Sequence, residues 1–393
     1  MKYDFDRLTL RRGTDCVKWD EAPSANVLPL WVADMDFETA PCVQEAIVQR
    51  ARHGIYGYAL VPASFFERII WWNRHRHGWD IHRDHILYTS GVVPAVSAII
   101  KALCRPGDGV LTFTPAYNCF FSSIRNNGTR LVNFPLTWSP ADERYTIDFE
   151  AIARVLRTER PSLFMLCNPH NPSGRVWTHE ELTAVARLCA AEGITVLSDE
   201  IHCEFVHPSL GRRYVPFAPV AEAEGCRWVV ANAPNKAFNI AGLQTAYIVA
   251  PDAEVRQRID RALNVNEVCD INCFSFVALQ AAYTEEGEQW LDQLVAYIFE
   301  GYETFRRDLK AAVPGLPVAH LEGTYLAWLD VSGLCADARE LAGRLLTEQD
   351  LWVNPGNMYG QDGFLRVNLA TQHQRLSEAT RRLAAGLTSA PAL

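Results

Sequence analysis

The chain has 393 residues, 49% of them hydrophobic and 21% charged, the make-up of a globular protein with a large core, which excludes a disordered or fibrous chain. At this length one core gives way to a larger and a smaller domain. The formal net charge of −9, interspersed without long runs of either sign, argues against nucleic acid or an anionic membrane as partner.

The N-terminus, Met1-Lys2-Tyr3-Asp4-Phe5-Asp6, lacks the basic-then-apolar pattern of a secretory signal, and no apolar run is long enough to span a bilayer. None of the 11 cysteines stands in C-x-x-C spacing, the nearest pair being Cys269 and Cys273. Several, such as Cys104, Cys167 and Cys189, lie in apolar segments where a reduced, buried thiol is the ordinary reading. These features point to a cytoplasmic protein with free thiols.

From about residue 85 to 250 short apolar runs alternate with helical periodicity. Val110–Thr114, Ser162–Cys167, Ile194–Ser198, Arg227–Ala231 and Thr245–Ala250 read as strands. Between them lie amphipathic stretches such as 178–192, opened by Thr178 as N-cap with Glu180 and Glu181 in the first turn. Near-continuous apolar strands separated by helices imply an α/β fold with a mainly parallel sheet covered on both faces. From roughly 285 onward a long helix through Glu300 and Leu309 is followed by strands at Gly323–Asp330 and Gly363–Leu369 and a last helix. The expected division is a large domain over 46–284 and a smaller α/β domain over 285–393, with segment 1–45 joining the smaller one.

Sheets of this kind bind ligands at the carboxyl ends of their strands, so the polar residues there are the candidates. Of the five lysines, Lys2 and Lys18 belong to the N-terminal segment, and Lys101 and Lys310 read as solvated helix edges. Lys236 lies just beyond a buried strand, in a turn with Pro234. By position alone it is more often a loop residue, yet an amine beside apolar surface can act as nucleophile or base. Asp199 follows another strand, as a cap or as counter-ion to a protonated heterocycle. Asn171, in Asn168-Pro-His-Asn-Pro-Ser-Gly174, offers turn chemistry or a hydrogen bond to a ligand hydroxyl. Val92 and Val93 precede a helix whose first amides suit a phosphate, and Tyr117 follows the strand at 110–114, for packing or for stacking on a planar ring.

Leu30-Trp-Val-Ala-Asp-Met-Asp-Phe37, Tyr56-Gly-Tyr58, Ser90-Gly-Val-Val-Pro94, Cys167-Asn-Pro-His-Asn-Pro172, Ser198-Asp-Glu-Ile-His202, Ala233-Pro-Asn-Lys-Ala-Phe-Asn239 and Phe364-Leu-Arg-Val-Asn368 follow one another along the chain. In that order they resemble the pyridoxal-phosphate (PLP) enzymes of fold type I, the aspartate-aminotransferase-like fold. More narrowly, they resemble the MalY/PatB-type cystathionine β-lyases, or C–S lyases. The resemblance covers nearly the whole chain. It implies Lys236 as the Schiff-base lysine and general base, Asp199 as partner of the pyridinium nitrogen, Asn171 at the ring hydroxyl and Tyr117 stacked on the ring. It further implies phosphate contacts from the Val92 and Val93 amides and, across a homodimer, from Tyr58 of the neighbouring subunit. Arg366 would hold the substrate α-carboxylate by a bidentate pair. His202 stands where related aminotransferases often carry a tyrosine. Asn235, before the lysine, replaces the usual Ser or Thr, whose hydroxyl would help to bind the phosphate.

The implied activity is β-elimination from cystathionine, cysteine or a cysteine S-conjugate, giving thiol, pyruvate and ammonia. The alternative within the fold is an aminotransferase, and a secondary regulatory binding role is a third reading for which no partner helix or DNA-binding motif is visible. The histidines between His75 and His85 lack the spaced pair with an intervening Glu that marks a helical metal site, so no metal is expected.

Overall fold

Apolar runs between Ile86 and Val249 form one seven-stranded sheet in the computed structural model, which describes residues 2–265 and 270–389. Its strands are β1 (Ile86–Thr89), β2 (Gly109–Thr114), β3 (Arg130–Pro135), β4 (Leu163–Cys167), β5 (Thr195–Asp199), β6 (Trp228–Asn232) and β7 (Ala246–Val249), in the spatial order β1-β7-β6-β5-β4-β2-β3. Strands β3, β2, β4, β5 and β6 pair in parallel, and only β7 runs against its neighbours. Every residue of β2, β4, β5, β6 and β7 is buried, which accounts for their continuous rather than alternating apolar pattern: helices cover both faces. The register places Cys167 beside Asp199 and Asp199 beside Ala231, so three strands deliver their carboxyl ends to one line.

The connecting helices follow their local signals. Residues His179–Ala191 form a helix closed by a full capping box, with the Thr178 hydroxyl accepting from the Glu181 amide and the Glu181 carboxylate accepting from the Thr178 amide. Thr178→Ala is expected to cost about 1 kcal/mol of stability, read as a lower urea midpoint at unchanged slope. After β4 the chain turns through Asn168–Gly174. Gly174 has a φ of +71°, and a Cβ there would sit 2.9 Å from the Leu321 side chain, so both backbone and packing require glycine.

Beyond the 28-residue helix Glu285–Ala312, a three-stranded antiparallel sheet is formed by β8 (Leu326–Asp330), β9 (Asn354–Pro355) and β10 (Phe364–Asn368), with β10 in the middle. The strand expected from Gly323 begins only at Leu326, because Thr324 adopts a left-handed φ of +67°. Leu28–Pro29 pairs in parallel with Leu351–Trp352. One buried apolar cluster runs from Phe5 through Trp72, Phe113 and Trp328 to Leu387. The ten cysteines among the described residues are free thiols; Cys269 lies outside them.

Candidate active site

A cavity of about 210 Å³ opens at the carboxyl ends of β4, β5 and β6, and Tyr117, Asn171, Asp199, His202, Asn235 and Lys236 line it. Ser90, Gly91, Val92 and Val93 form its far wall. Five segments far apart in sequence thus converge, each at or a few residues after the end of a strand.

Asp199 is the last residue of β5 and is buried, with one carboxylate oxygen accepting from the Ile201 amide at 3.1 Å. Burial, aided by the neighbouring Glu200 charge and opposed by the Ile201 bond and Lys236, raises its pKa to about 7. A cationic N–H placed against it would restore the ionised form. His202 lies three residues on; burial, with Lys236 and Arg366 nearby, lowers its pKa to about 3, so the imidazole is neutral. Its Nδ1 has no hydrogen-bond partner, and neither has Oδ1 of the buried Asn235. Two buried polar atoms of cavity-lining residues therefore have hydrogen-bonding capacity unspent, which a polar ligand can satisfy.

Helix Val92–Leu103 begins at the cavity wall. Its first amides have no intrahelical acceptor, and Pro94 has no N–H, so Val92 and Val93 present the donors at this positive helix end. That is a cradle for a phosphate. Tyr117 caps the next helix, Asn118–Asn126, with its ring on the cavity wall.

Lys236 enters from the turn after β6. Its Nζ donates to the Ala33 carbonyl, which also accepts from the Tyr325 hydroxyl at 3.0 Å. Desolvation in the cavity, opposed by the Asp34 and Asp199 charges and reinforced by Arg366, lowers its pKa to about 8. The neutral, nucleophilic amine therefore appears as pH rises through 8 instead of 10.5. The rate at which chain stripped of cofactor takes up PLP should accordingly climb with pH to a half-maximum near 8. A rise that begins only above pH 10 would show an unperturbed lysine.

Arg366, on β10, is buried and does not line the cavity directly; its Nη1 donates to Asn171 Oδ1 at 3.3 Å and its Nη2 to the Trp31 carbonyl at 2.9 Å. Its guanidinium lies 4.5 Å from the Tyr359 ring centre, and Nε lacks a partner. Tyr58 is 97% exposed and is not brought to this chain's own cavity.

The segment after Leu30 supplies what residue types could not announce. Its main-chain carbonyls serve as acceptors for the site: Trp31 for Arg366 and Asn354, Ala33 for Lys236 and Tyr325, and Val32 and Asp34 for Asn368. Asp34 is held by Arg11 at 2.6 Å, and the fully buried Lys18 pairs with Asp36 at 3.1 Å. Lys18 is thus a structural charge that fixes this segment.

The cavity suits PLP: an amine that becomes neutral near pH 8, a carboxylate that needs a cation, a helix start for a phosphate, and unpartnered polar atoms between them.

The family model for aminotransferases of class I and II matches residues 25–383. Cystathionine β-lyase PatB of Bacillus subtilis (strain 168) is 36% identical over 391 residues, covering 98% of this chain and all of that protein. Protein MalY of Escherichia coli (strain K12) is 32% identical, covering 97% and 98%. Among solved structures, cystalysin from Treponema denticola, which contains a pyridoxal 5'-phosphate cofactor, superposes with a TM-score of 0.93 at 29% identity and covers 99% of each chain. The chain therefore belongs to the aminotransferase class I and II family of PLP enzymes and, within it, to the cystathionine β-lyases of the MalY/PatB type.

Proposed function

We propose that this chain is a PLP-dependent C–S lyase that eliminates a thiol from the β-carbon of cystathionine, cysteine or a cysteine S-conjugate, leaving pyruvate and ammonia. The observation that carries the reading is the placement of Lys236, Asp199 and Asn171 around one cavity in a chain whose relatives include proteins named cystathionine β-lyase.

PLP, when bound, supplies the electron sink for the carbanion formed at the substrate Cα and the electrophilic carbon that captures the amino group. The protein's part is orientation, charge and proton transfer. Lys236 would hold the cofactor, and its neutral Nζ would take the proton from the substrate Cα. Asp199 would keep the ring nitrogen protonated, and Asn171 would donate to the ring hydroxyl. The Val92 and Val93 amides would take the phosphate, and Tyr117 would cover the ring. Arg366 binds the substrate carboxylate: its fork is planar and already oriented by Tyr359 and Asn171, and its Nε lacks a partner. The electron pair left at Cα would expel the thiolate from Cβ, and water would then release the remaining three-carbon unit as pyruvate and ammonia.

A homodimer would complete the site. Tyr58 belongs to an exposed apolar stretch with Ile55, Tyr56 and Leu60, exposed by 54–97%, a composition that water does not favour and a second copy would cover. In that assembly Tyr58 would reach the phosphate bound by the neighbouring subunit. Ala33 of segment 1–45 lines the cavity, and Arg366 of residues 285–393 reaches it through Asn171, against the sheet of residues 46–284; both contacts support a large and a small domain that meet at the site. A reduced, cytoplasmic setting accords with the free thiols.

Purified protein loaded with PLP should release pyruvate and a thiol from cystathionine with no keto acid added. Turnover that requires a keto acid and yields a new amino acid would establish the aminotransferase instead.

A further inference from the structure

Beside the turn that carries Asp199 and His202, three groups of metal-binding type meet, two of them buried and His77 partly so. They are His77 at the end of helix Ala63–His77 and Cys203 and Glu204 just beyond His202. Glu204 Oε1 lies 2.9 Å from His77 Nε2, and Cys203 Sγ lies 4.0 Å from that nitrogen and 3.7 Å from that oxygen. Around a tetrahedral zinc ion, with bonds of about 2.0–2.3 Å, such donors stand roughly 3.3–3.6 Å apart. Shifts of a few tenths of an ångström convert one arrangement into the other.

We propose that His77, Cys203 and Glu204 form a site for one zinc-class divalent cation, outside the PLP cavity. The sulfur, nitrogen and carboxylate set selects a borderline-soft ion over magnesium or calcium. The outer contacts are those of an oriented site: Asn232 Nδ2 donates to Cys203 Sγ at 3.4 Å, Trp72 Nε1 to Glu204 Oε1 at 2.7 Å, and Arg76 to Glu204 Oε2. Arg76 is the opposing charge, but Glu288 at 2.9 Å and Asp292 at 2.7 Å also engage it, so the surroundings stay anionic.

A cavity of about 370 Å³, lined by Arg76, His77, Cys203, Glu204, Tyr214 and Asp292 among others, gives the ion its path and a water its place as fourth ligand. Binding displaces the Cys203 thiol proton to solvent and leaves His77 protonated only on Nδ1. The ion then fastens the end of the helix to the turn that holds His202.

The residues are scattered, with Cys203 and Glu204 lying 126 and 127 positions after His77. No linear spacing announces them, and the expectation of no metal rested on the histidines at 75–85 alone. Of those, His75 pairs with Glu288 and His82 lies near Asp84.

The test uses the PLP-loaded enzyme, freed of metal by a chelator and dialysed against zinc chloride, so its readouts are independent of turnover. The expected result is one zinc per chain, retained through gel filtration and lost in Cys203→Ala and in His77→Ala. The melting temperature should rise with zinc in the parent protein only. Cobalt(II) in the parent chain should give a thiolate-to-metal charge-transfer band, which keeps the proposal testable should either variant fail to fold. Zinc retained undiminished by both variants, zinc lost in His82→Ala instead, or a cobalt spectrum without the sulfur band would overturn it.

Discussion

Replacing Lys236 with alanine should reduce pyruvate release from cystathionine by roughly 10⁴-fold, the upper end of what a positioned proton-transfer group contributes. It should also remove the yellow absorbance of the lysine-linked cofactor. Both effects follow from one nitrogen, which holds the cofactor and then takes the Cα proton. The loss is one of chemistry and not of fold. In the free chain Lys236 Nζ makes one hydrogen bond, to Ala33, and its surroundings disfavour its charge. A lysine whose pKa is lowered from 10.5 to about 8 opposes folding at neutral pH, and that cost fades as pH rises from 8 toward 10.5. The alanine variant without cofactor should therefore melt no lower than the parent at pH 7. A variant that folds and keeps more than a hundredth of the activity would remove Lys236 from the mechanism.

The sequence made Lys236, Asp199, Asn171 and Tyr117 legible for one physical reason: each stands at or just past an apolar strand, and the strands of a parallel sheet end on one side. Arg366 was not legible that way, because it lies within a buried antiparallel strand and reaches the site through Asn171; only the family motif singled it out. The carbonyls of Trp31 and Ala33 were out of reach altogether, since a main-chain acceptor has no residue type to read. Lys18 illustrates the converse: a lysine assigned only to the N-terminal segment proves fully buried against Asp36, a pairing that the fold alone determines. The left-handed Thr324 shortened a strand whose apolar pattern ran past it. Asn235, the departure from the usual hydroxyl residue, lines the cavity with an unpartnered Oδ1, so it has capacity for a phosphate-bound water or donor.

Asp199→Asn should lower turnover by about 10²–10⁴-fold at saturating PLP, the equivalent of the roughly 3–5 kcal/mol lost when one partner of a buried ion pair is removed. Asparagine keeps the shape and a hydrogen bond but cannot hold a proton on the ring nitrogen, so electron withdrawal from Cα weakens. The effect on the free chain runs the other way. Burial raises the Asp199 pKa from 3.8 to about 7, so the ionised carboxylate is disfavoured by the fold, and stability falls as pH rises from about 4 toward 7. Asparagine removes that penalty, and the cofactor-free variant should melt at or above the parent's temperature at pH 7 while its turnover collapses. This opposition separates a catalytic counter-ion from a structural cap. A cap would lose stability when its side chain is altered, and activity would fall only in step with it. Activity within tenfold of the parent in a variant that retains PLP would assign the ring nitrogen's charge to another group.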